Sequence, residues 1–162
     1  MLEKIKSRED LRALCEQWRR EGVRVVFTNG CFDVMHAGHV AYLEQAKKLG
    51  DVLVVGVNSD ESVRVHKGST RPYVAQQDRA AMLAGLAAVD AVCIFEERTP
   101  HELIRLVKPA LHVKGGDYRE EQLCEAPLVR ELGGSVKILP YLEGRSTTNL
   151  VAKIRENHPQ PL

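Results

Sequence analysis

Two histidines three residues apart, His36 and His39, flank Ala37-Gly38 at the end of the stretch Thr28-Asn29-Gly30-Cys31-Phe32-Asp33-Val34-Met35. At the start of a helix that spacing sends both imidazoles to one side. The helix start carries unpaired N–H groups and a partial positive charge, which suits an anion. Gly38 has no side chain, so an anion can approach the backbone closely. The chemistry predicted is phosphate binding. The bland reading is a chance pair of histidines at a common strand-turn-helix junction.

Three further groups bear on that choice. Lys67, Arg71 and Arg79 form a second cluster, Lys114-Gly115-Gly116-Asp117 a third, and Arg145-Ser146-Thr147-Thr148-Asn149 a fourth. Each alone is weak: surface cations are usually solvated, Gly-Gly-Asp is often a turn, and Ser-Thr-Thr is often a cap. Cations, hydroxyls and open helix ends on one rim make a polyphosphate cradle. There is no Gly-x-x-x-x-Gly-Lys-Ser/Thr loop and no Gly-x-Gly-x-x-Gly after the first strand, which disfavours P-loop kinases and nicotinamide oxidoreductases. No Ser or Cys has an obvious paired base. An inventory rich in phosphate-stabilising groups suits direct displacement at phosphorus, which depends on positioning and charge neutralisation.

The elements that must hold these groups alternate. Apolar runs at 23–28, 51–57, 91–95, 110–113 and 136–139 predict five strands, the first buried on both faces as in parallel sheets. Helices are predicted over 7–21, 39–49, 76–86, about 99–107, 127–132 and from the Ser-Thr-Thr stretch to about 156, with Met82, Leu83 and Leu86 inward in the third. Ser7 and Thr99 are the predicted N-caps, Pro100 a first helical residue, and 66–72 a surface loop. The fold class is α/β: a doubly wound, Rossmann-like, five-stranded parallel sheet with right-handed crossovers. Ligands in such a sheet bind beyond the C-terminal strand ends, at the switch point. No linker or repeat divides the 162 residues, so one domain is expected, with a core of about 23–156 behind an N-terminal helix.

Composition bounds the rest. The net charge of +1 leaves no global field for nucleic acid or an anionic membrane. Cys15, Cys31, Cys93 and Cys124 form no Cys-x-x-Cys pair, so no structural zinc is expected. Met1 to Arg20 lacks the apolar stretch of a secretory signal, and no apolar run reaches a membrane span. The expectation is a cytoplasmic protein with reduced thiols.

Gly30-x-Phe32-Asp33 followed by His36-x-Gly38-His39 resembles the signature of the cytidylyltransferase-like nucleotidyltransferases, and the likeness extends from Val25 to about Ile154. Lys67 stands where that family carries its mobile-loop lysine, Asp78-Arg79 resembles a helix start bearing a family arginine, and Gly144 to Thr148 resembles its closing motif. Thr28 to Asp33, Asn58-Ser59-Asp60, Thr70-Arg71-Pro72, Val113 to Tyr118 and Ser146 to Asn149 further resemble the D-glycero-β-D-manno-heptose 1-phosphate adenylyltransferases, which make ADP-heptose for lipopolysaccharide. Arg145 departs from the small or apolar residue common in relatives.

The resemblance implies His36, His39 and Lys67 as catalytic residues. It implies Thr28, Asn29, Gly30, Phe32, Gly38, Arg79, Gly115, Asp117, Arg145, Ser146, Thr147 and Thr148 at the nucleotide, and Asp33, Arg71 and Lys114 at the second substrate. It implies ATP and a sugar 1-phosphate as substrates, Mg²⁺ held mainly by ATP phosphates and water rather than by a protein metal site, a stand-alone form served by a separate sugar kinase, and a possible homo-oligomer. The alternatives are a cytidylyltransferase for glycerol 3-phosphate or a related alcohol phosphate, a non-catalytic nucleotide-binding module and, more remotely, a Rossmann redox protein.

Overall fold

The structure, a computed structural model, describes residues 1–116, 119–140 and 147–157. Five strands form one sheet: β1 (Val25–Gly30), β2 (Val52–Asn58), β3 (Ala91–Phe95), β4 (Leu111–Gly115) and β5 (Ser135–Leu139). Their order is β3-β2-β1-β4-β5, and every pairing is parallel. Seven helices flank them among the described residues: α1 (Arg8–Arg20), α2 (Ala37–Lys47), α3 (Asp60–Lys67), α4 (Gln76–Ala84), α5 (His101–Val107), α6 (Ala126–Glu131) and α7 (Thr147–Asn157). The chain winds outward to one edge through β1, β2 and β3, then returns to β4 on the other side of β1. The switch point therefore lies between β1 and β4.

Alternation along each strand supplies two cores. Val26, Leu53, Val55 and Val113 pack with Leu43 of α2 and Leu83 of α4, whereas Phe27, Val54 and Cys93 pack with Leu11 of α1, Leu103 of α5 and Val129 of α6. β1, β2 and β3 bury residues on both faces, which is why they read as continuous apolar runs, whereas the edge strand β5 exposes Ser135 and Lys137. Gly56 is the exception in β2. A Cβ there would lie 2.9 Å from Leu103, 3.1 Å from the Phe27 ring and 3.2 Å from Asn29 Cβ, so only glycine leaves those side chains their room.

Several sequence expectations shift. Lys67 lies not in a loop but in the last turn of α3, whose N-cap Ser59 accepts a hydrogen bond from the Ser62 N–H and whose Val63 is buried. The turn at Asn58-Ser59-Asp60 can cap a short helix, as it does here, but polar His66 and Lys67 give no apolar signal that the helix reaches so far. Met82 faces solvent, 42% exposed, while Ala80, Leu83 and Ala84 carry the inner face of α4. The Thr99 cap does not form: Pro100 is the N-cap of α5 and no side chain caps that helix. Ser7 does cap α1, accepting from the Asp10 N–H. Before α1 the chain adds a short contact at the sheet edge, where Ile5 bridges Val92 and the Lys6 N–H donates to the Val92 carbonyl.

Candidate active site

β1 ends at Gly30, and the turn from Cys31 to His36 delivers the chain to α2. Gly30 and Phe32 shape its first half. Phe32 has φ +49°, a left-handed conformation unusual for an aromatic residue, and its ring lies 3.2 Å from where a Gly30 Cβ would stand. The ring is buried, with its centroid 5.7 Å from that of His39. Phe32 thus supports an imidazole from below.

The two histidines cap the helix reciprocally. His36 is the N-cap, and its Nδ1 accepts from the Gly38 N–H at 3.1 Å. His39 reaches back, its Nδ1 accepting from the His36 N–H at 3.3 Å. An imidazole that accepts at Nδ1 carries its proton on Nε2. Each neutral ring is therefore an Nε2–H donor, and the ring centroids lie 4.1 Å apart. Burial first, and then the repulsion that a protonated His36 and the Lys67 ammonium would exert, push the His39 pKa down from 6.5 to about 4. At neutral pH His39 is an uncharged donor beside the Lys67 ammonium. The Gly38 and His39 N–H groups are already engaged within the turn, the latter by the His36 carbonyl at 2.9 Å. The donors this turn offers an anion are thus led by imidazoles, where the sequence pointed to open backbone.

Two buried charges hold the turn against its surroundings. Asp33, 3% exposed, accepts from Arg71 Nε at 2.5 Å and from the N–H groups of Tyr73 and Val74 at 2.7 and 2.9 Å. Arg71 also lies over the Tyr73 ring, 4.6 Å from its centroid. Asp33 is thus a latch between the histidine turn and segment 71–74, not an open substrate ligand. One terminal nitrogen of Arg71, Nη2, is buried with no partner among the described residues and keeps donor capacity for the site. Arg79 is completely buried. It donates to the carbonyls of Val74 at 2.9 Å and Cys31 at 2.5 Å, and to the Asp60 carboxylate at 2.8 Å. With every edge of its guanidinium spent inside the protein, Arg79 is a staple between the turn, α3 and α4.

Thr28, 1% exposed, is likewise internal. Its hydroxyl pairs with Tyr42 OH at 2.7 Å, and Tyr42 OH donates to the Val113 carbonyl at 3.0 Å. That chain ties β1, α2 and β4 together at the switch point. Tyr42 was missed from sequence, although its place one turn after His39 is the available signal. Asn29 and Lys114 end β1 and β4 and meet through Lys114 Nζ and Asn29 Oδ1 at 3.1 Å. Gly115 ends β4, and the next residue, Gly116, donates its N–H to the Leu139 carbonyl of β5. Thr147, at the start of α7, donates its hydroxyl to the Val34 carbonyl at 3.0 Å. Of the fourth sequence cluster, Thr147 therefore touches the histidine turn, and Thr148 next to it is exposed. Asp117, Arg145 and Ser146 lie outside the described residues.

The rim beyond β1 and β4 thus gathers two imidazole donors, the Lys67 ammonium, the Arg71 guanidinium and the Thr147 end of α7. Among the described residues no group of three or more His, Cys, Asp or Glu is placed to hold a metal ion. None of the described helices is long and apolar enough to cross a membrane.

Comparison with known proteins gives the same assignment. Residues 27–153 match the family model described as cytidylyltransferase-like. A solved lipopolysaccharide core biosynthesis protein of Thermoplasma volcanium is 31% identical with a TM-score of 0.63, and the match covers 76% of this chain and all of that one. The pantothenate synthetase of Thermus thermophilus, 19% identical with a TM-score of 0.64 over 96% of this chain and 71% of its own, shares the fold. Among curated sequences, the bifunctional protein HldE of Wolinella succinogenes is 52% identical over 94% of this chain, and that of Koribacter versatilis 53% identical over 93%. The chain spans about a third of the length of these curated relatives, 31% of each. The paired imidazoles at the first β–α junction, the parallel sheet that presents them and the match over most of the length agree: the chain belongs to the cytidylyltransferase-like family of nucleotidyltransferases.

Proposed function

We propose that this chain transfers AMP from ATP to D-glycero-β-D-manno-heptose 1-phosphate, giving ADP-heptose and pyrophosphate for lipopolysaccharide synthesis. The observation that carries the nucleotidyl chemistry is the pair of Nε2–H imidazoles beside Lys67 at the β1–α2 junction. The acceptor is supported by the heptose-enzyme motifs in the sequence, by about 50% identity to HldE proteins and by the likeness to the Thermoplasma lipopolysaccharide core biosynthesis protein.

A sugar 1-phosphate oxygen attacks the α-phosphorus in line. A P–O bond forms there as the bond to the β-phosphate oxygen breaks, and pyrophosphate leaves with the electron pair. The phosphate nucleophile is already ionised, so no side chain has to remove a proton. His36 and His39 donate from Nε2–H to non-bridging oxygens whose charge grows in the transition state, a role neutral donors fill without prior deprotonation. Lys67 adds charge from the end of α3, and the start of α7 receives the leaving phosphates. The described donor set fits a Mg²⁺ ion held by phosphate oxygens and water, since Asp33 is committed to Arg71 and two backbone N–H groups. When bound, such an ion would supply neutralisation of phosphate charge.

Pyrophosphate release with ATP and CTP, across heptose 1-phosphate, other sugar 1-phosphates and glycerol 3-phosphate, tests the proposal. ATP with heptose 1-phosphate is expected to give the highest kcat/KM. Turnover of CTP with glycerol 3-phosphate alone replaces it by the cytidylyltransferase reading. ATP binding with no pyrophosphate from any acceptor replaces it by a non-catalytic module.

A further inference from the structure

A second polar cluster lies at the switch point, on the face of the sheet that packs against α5 and α6. Asn29 and Lys114 each stand two residues beyond a buried member of that face, Phe27 in β1 and His112 in β4. Lys114 Nζ donates to Asn29 Oδ1 at 3.1 Å and faces Glu125 Oε1 at 3.3 Å. Glu125 is the N-cap of α6, yet its carboxylate makes no capping hydrogen bond. It turns to Lys114, with Cys124 Sγ 3.5 Å from its other oxygen. Its side chain is 8% exposed and that of Lys114 20% exposed. Burial drives the Glu125 carboxyl up, but the Lys114 ammonium, a backbone N–H and His112 more than offset this and keep it ionised. Beneath the pair, His112 is completely buried, with neither ring nitrogen hydrogen-bonded among the described residues.

We propose that Asn29, Lys114 and Glu125 form the subsite for the sugar's hydroxyl groups, leaving its phosphate to the histidine turn and Arg71. The proposal rests on the sugar-phosphate reading above and refines it. Lys114 was expected at the second substrate as a cation. Its charge is cancelled by Glu125 at 3.3 Å, and a phosphate here would meet a carboxylate as well as an ammonium. The cluster is neutral overall and offers donors and acceptors within one side chain's reach, which matches a polyol. The fold does not require it, because a buried ion pair is commonly replaced by apolar side chains without loss of stability. Asn29, expected at the nucleotide, has its Oδ1 engaged by Lys114 of this cluster.

The test uses the whole chain with ATP and a panel of sugar 1-phosphates that differ by one deoxygenated or inverted hydroxyl. In the wild type, at least one such change is expected to lower kcat/KM by about 10–100-fold, the usual cost of leaving a charged hydrogen-bonding group without its partner. In the double variant K114M/E125L, which removes both charges at similar volume, that penalty should shrink to below about threefold, with ATP affinity by calorimetry within about twofold of wild type. If the double variant fails to fold, E125Q serves, and its penalty should shrink at least about threefold. Variants that slow every acceptor equally and keep the wild-type ratio overturn the subsite while leaving the adenylyltransferase reading intact. A loss of ATP affinity in step with sugar kcat/KM also overturns it. A wild type that transfers AMP to no sugar phosphate removes the functional reading and the subsite together.

Discussion

Arg79 separates two accounts of the same residue. The sequence placed it at the nucleotide, whereas the structure buries it completely between Val74, Cys31 and Asp60. Arg79→Met keeps most of the aliphatic stem and deletes three hydrogen bonds, one of them to a carboxylate. Breaking a buried pair from one side costs about 3–5 kcal/mol. The Asp60 side chain is 26% exposed and rehydrates when abandoned, so the low end, about 3 kcal/mol, applies. For a chain of this size each kcal/mol moves Tm by about 2–4 °C, so a fall of about 6–12 °C is expected. The assay pairs urea unfolding at fixed m-value with ATP titration of the folded protein at low temperature. ATP affinity should stay within about threefold of wild type. Unchanged stability with ATP affinity lowered tenfold or more would refute the staple and restore a phosphate ligand.

Three further outcomes follow from the site. His39→Asn retains an acceptor for the His36 N–H and removes the Nε2–H donor, so kcat should fall by about 10²–10³ with a smaller change in ATP affinity, measured by steady-state rates and calorimetry. The same variant reports on pH. His39 holds its proton less tightly folded than unfolded, so its contribution to stability is complete above pH 6.5 and is lost as pH falls towards about 4. Wild-type stability should therefore drop more steeply than that of His39→Asn between pH 6.5 and 4 in urea titrations, and parallel curves would contradict the burial of the ring. Lys67→Ala removes an exposed cation next to His39, and kcat should suffer more than ATP affinity. Equal losses in both would show that Lys67 binds the ground state as strongly as the transition state.

What could be read from the chain is what depends on local pattern. Val25 to Phe27 and Val52 to Val55 announce buried parallel strands, and Gly-x-Phe-Asp with the two histidines announces the turn between β1 and α2. The roles of Asp33, Arg79 and Thr28 could not be read, because each depends on at least one partner 14 to 48 residues away. A polar residue at a strand end looks the same in sequence whether it faces ligand or core. Phe32 shows this too: its left-handed backbone aims the ring under His39, and no periodicity encodes that angle. Glu125 was invisible for a different reason. At an N-cap a carboxylate is normally explained by the helix, and only its turn towards Lys114 marks it.

The most direct measurement is a crystal structure with a non-hydrolysable ATP analogue and Mg²⁺. The α-phosphate oxygens are expected within hydrogen-bonding distance of Nε2 of both His36 and His39, with the β- and γ-phosphates towards the start of α7. A triphosphate bound at another edge of the sheet, or imidazoles that keep their Nε2–H groups turned away from it, would contradict the assignment of this turn as the site of nucleotidyl transfer.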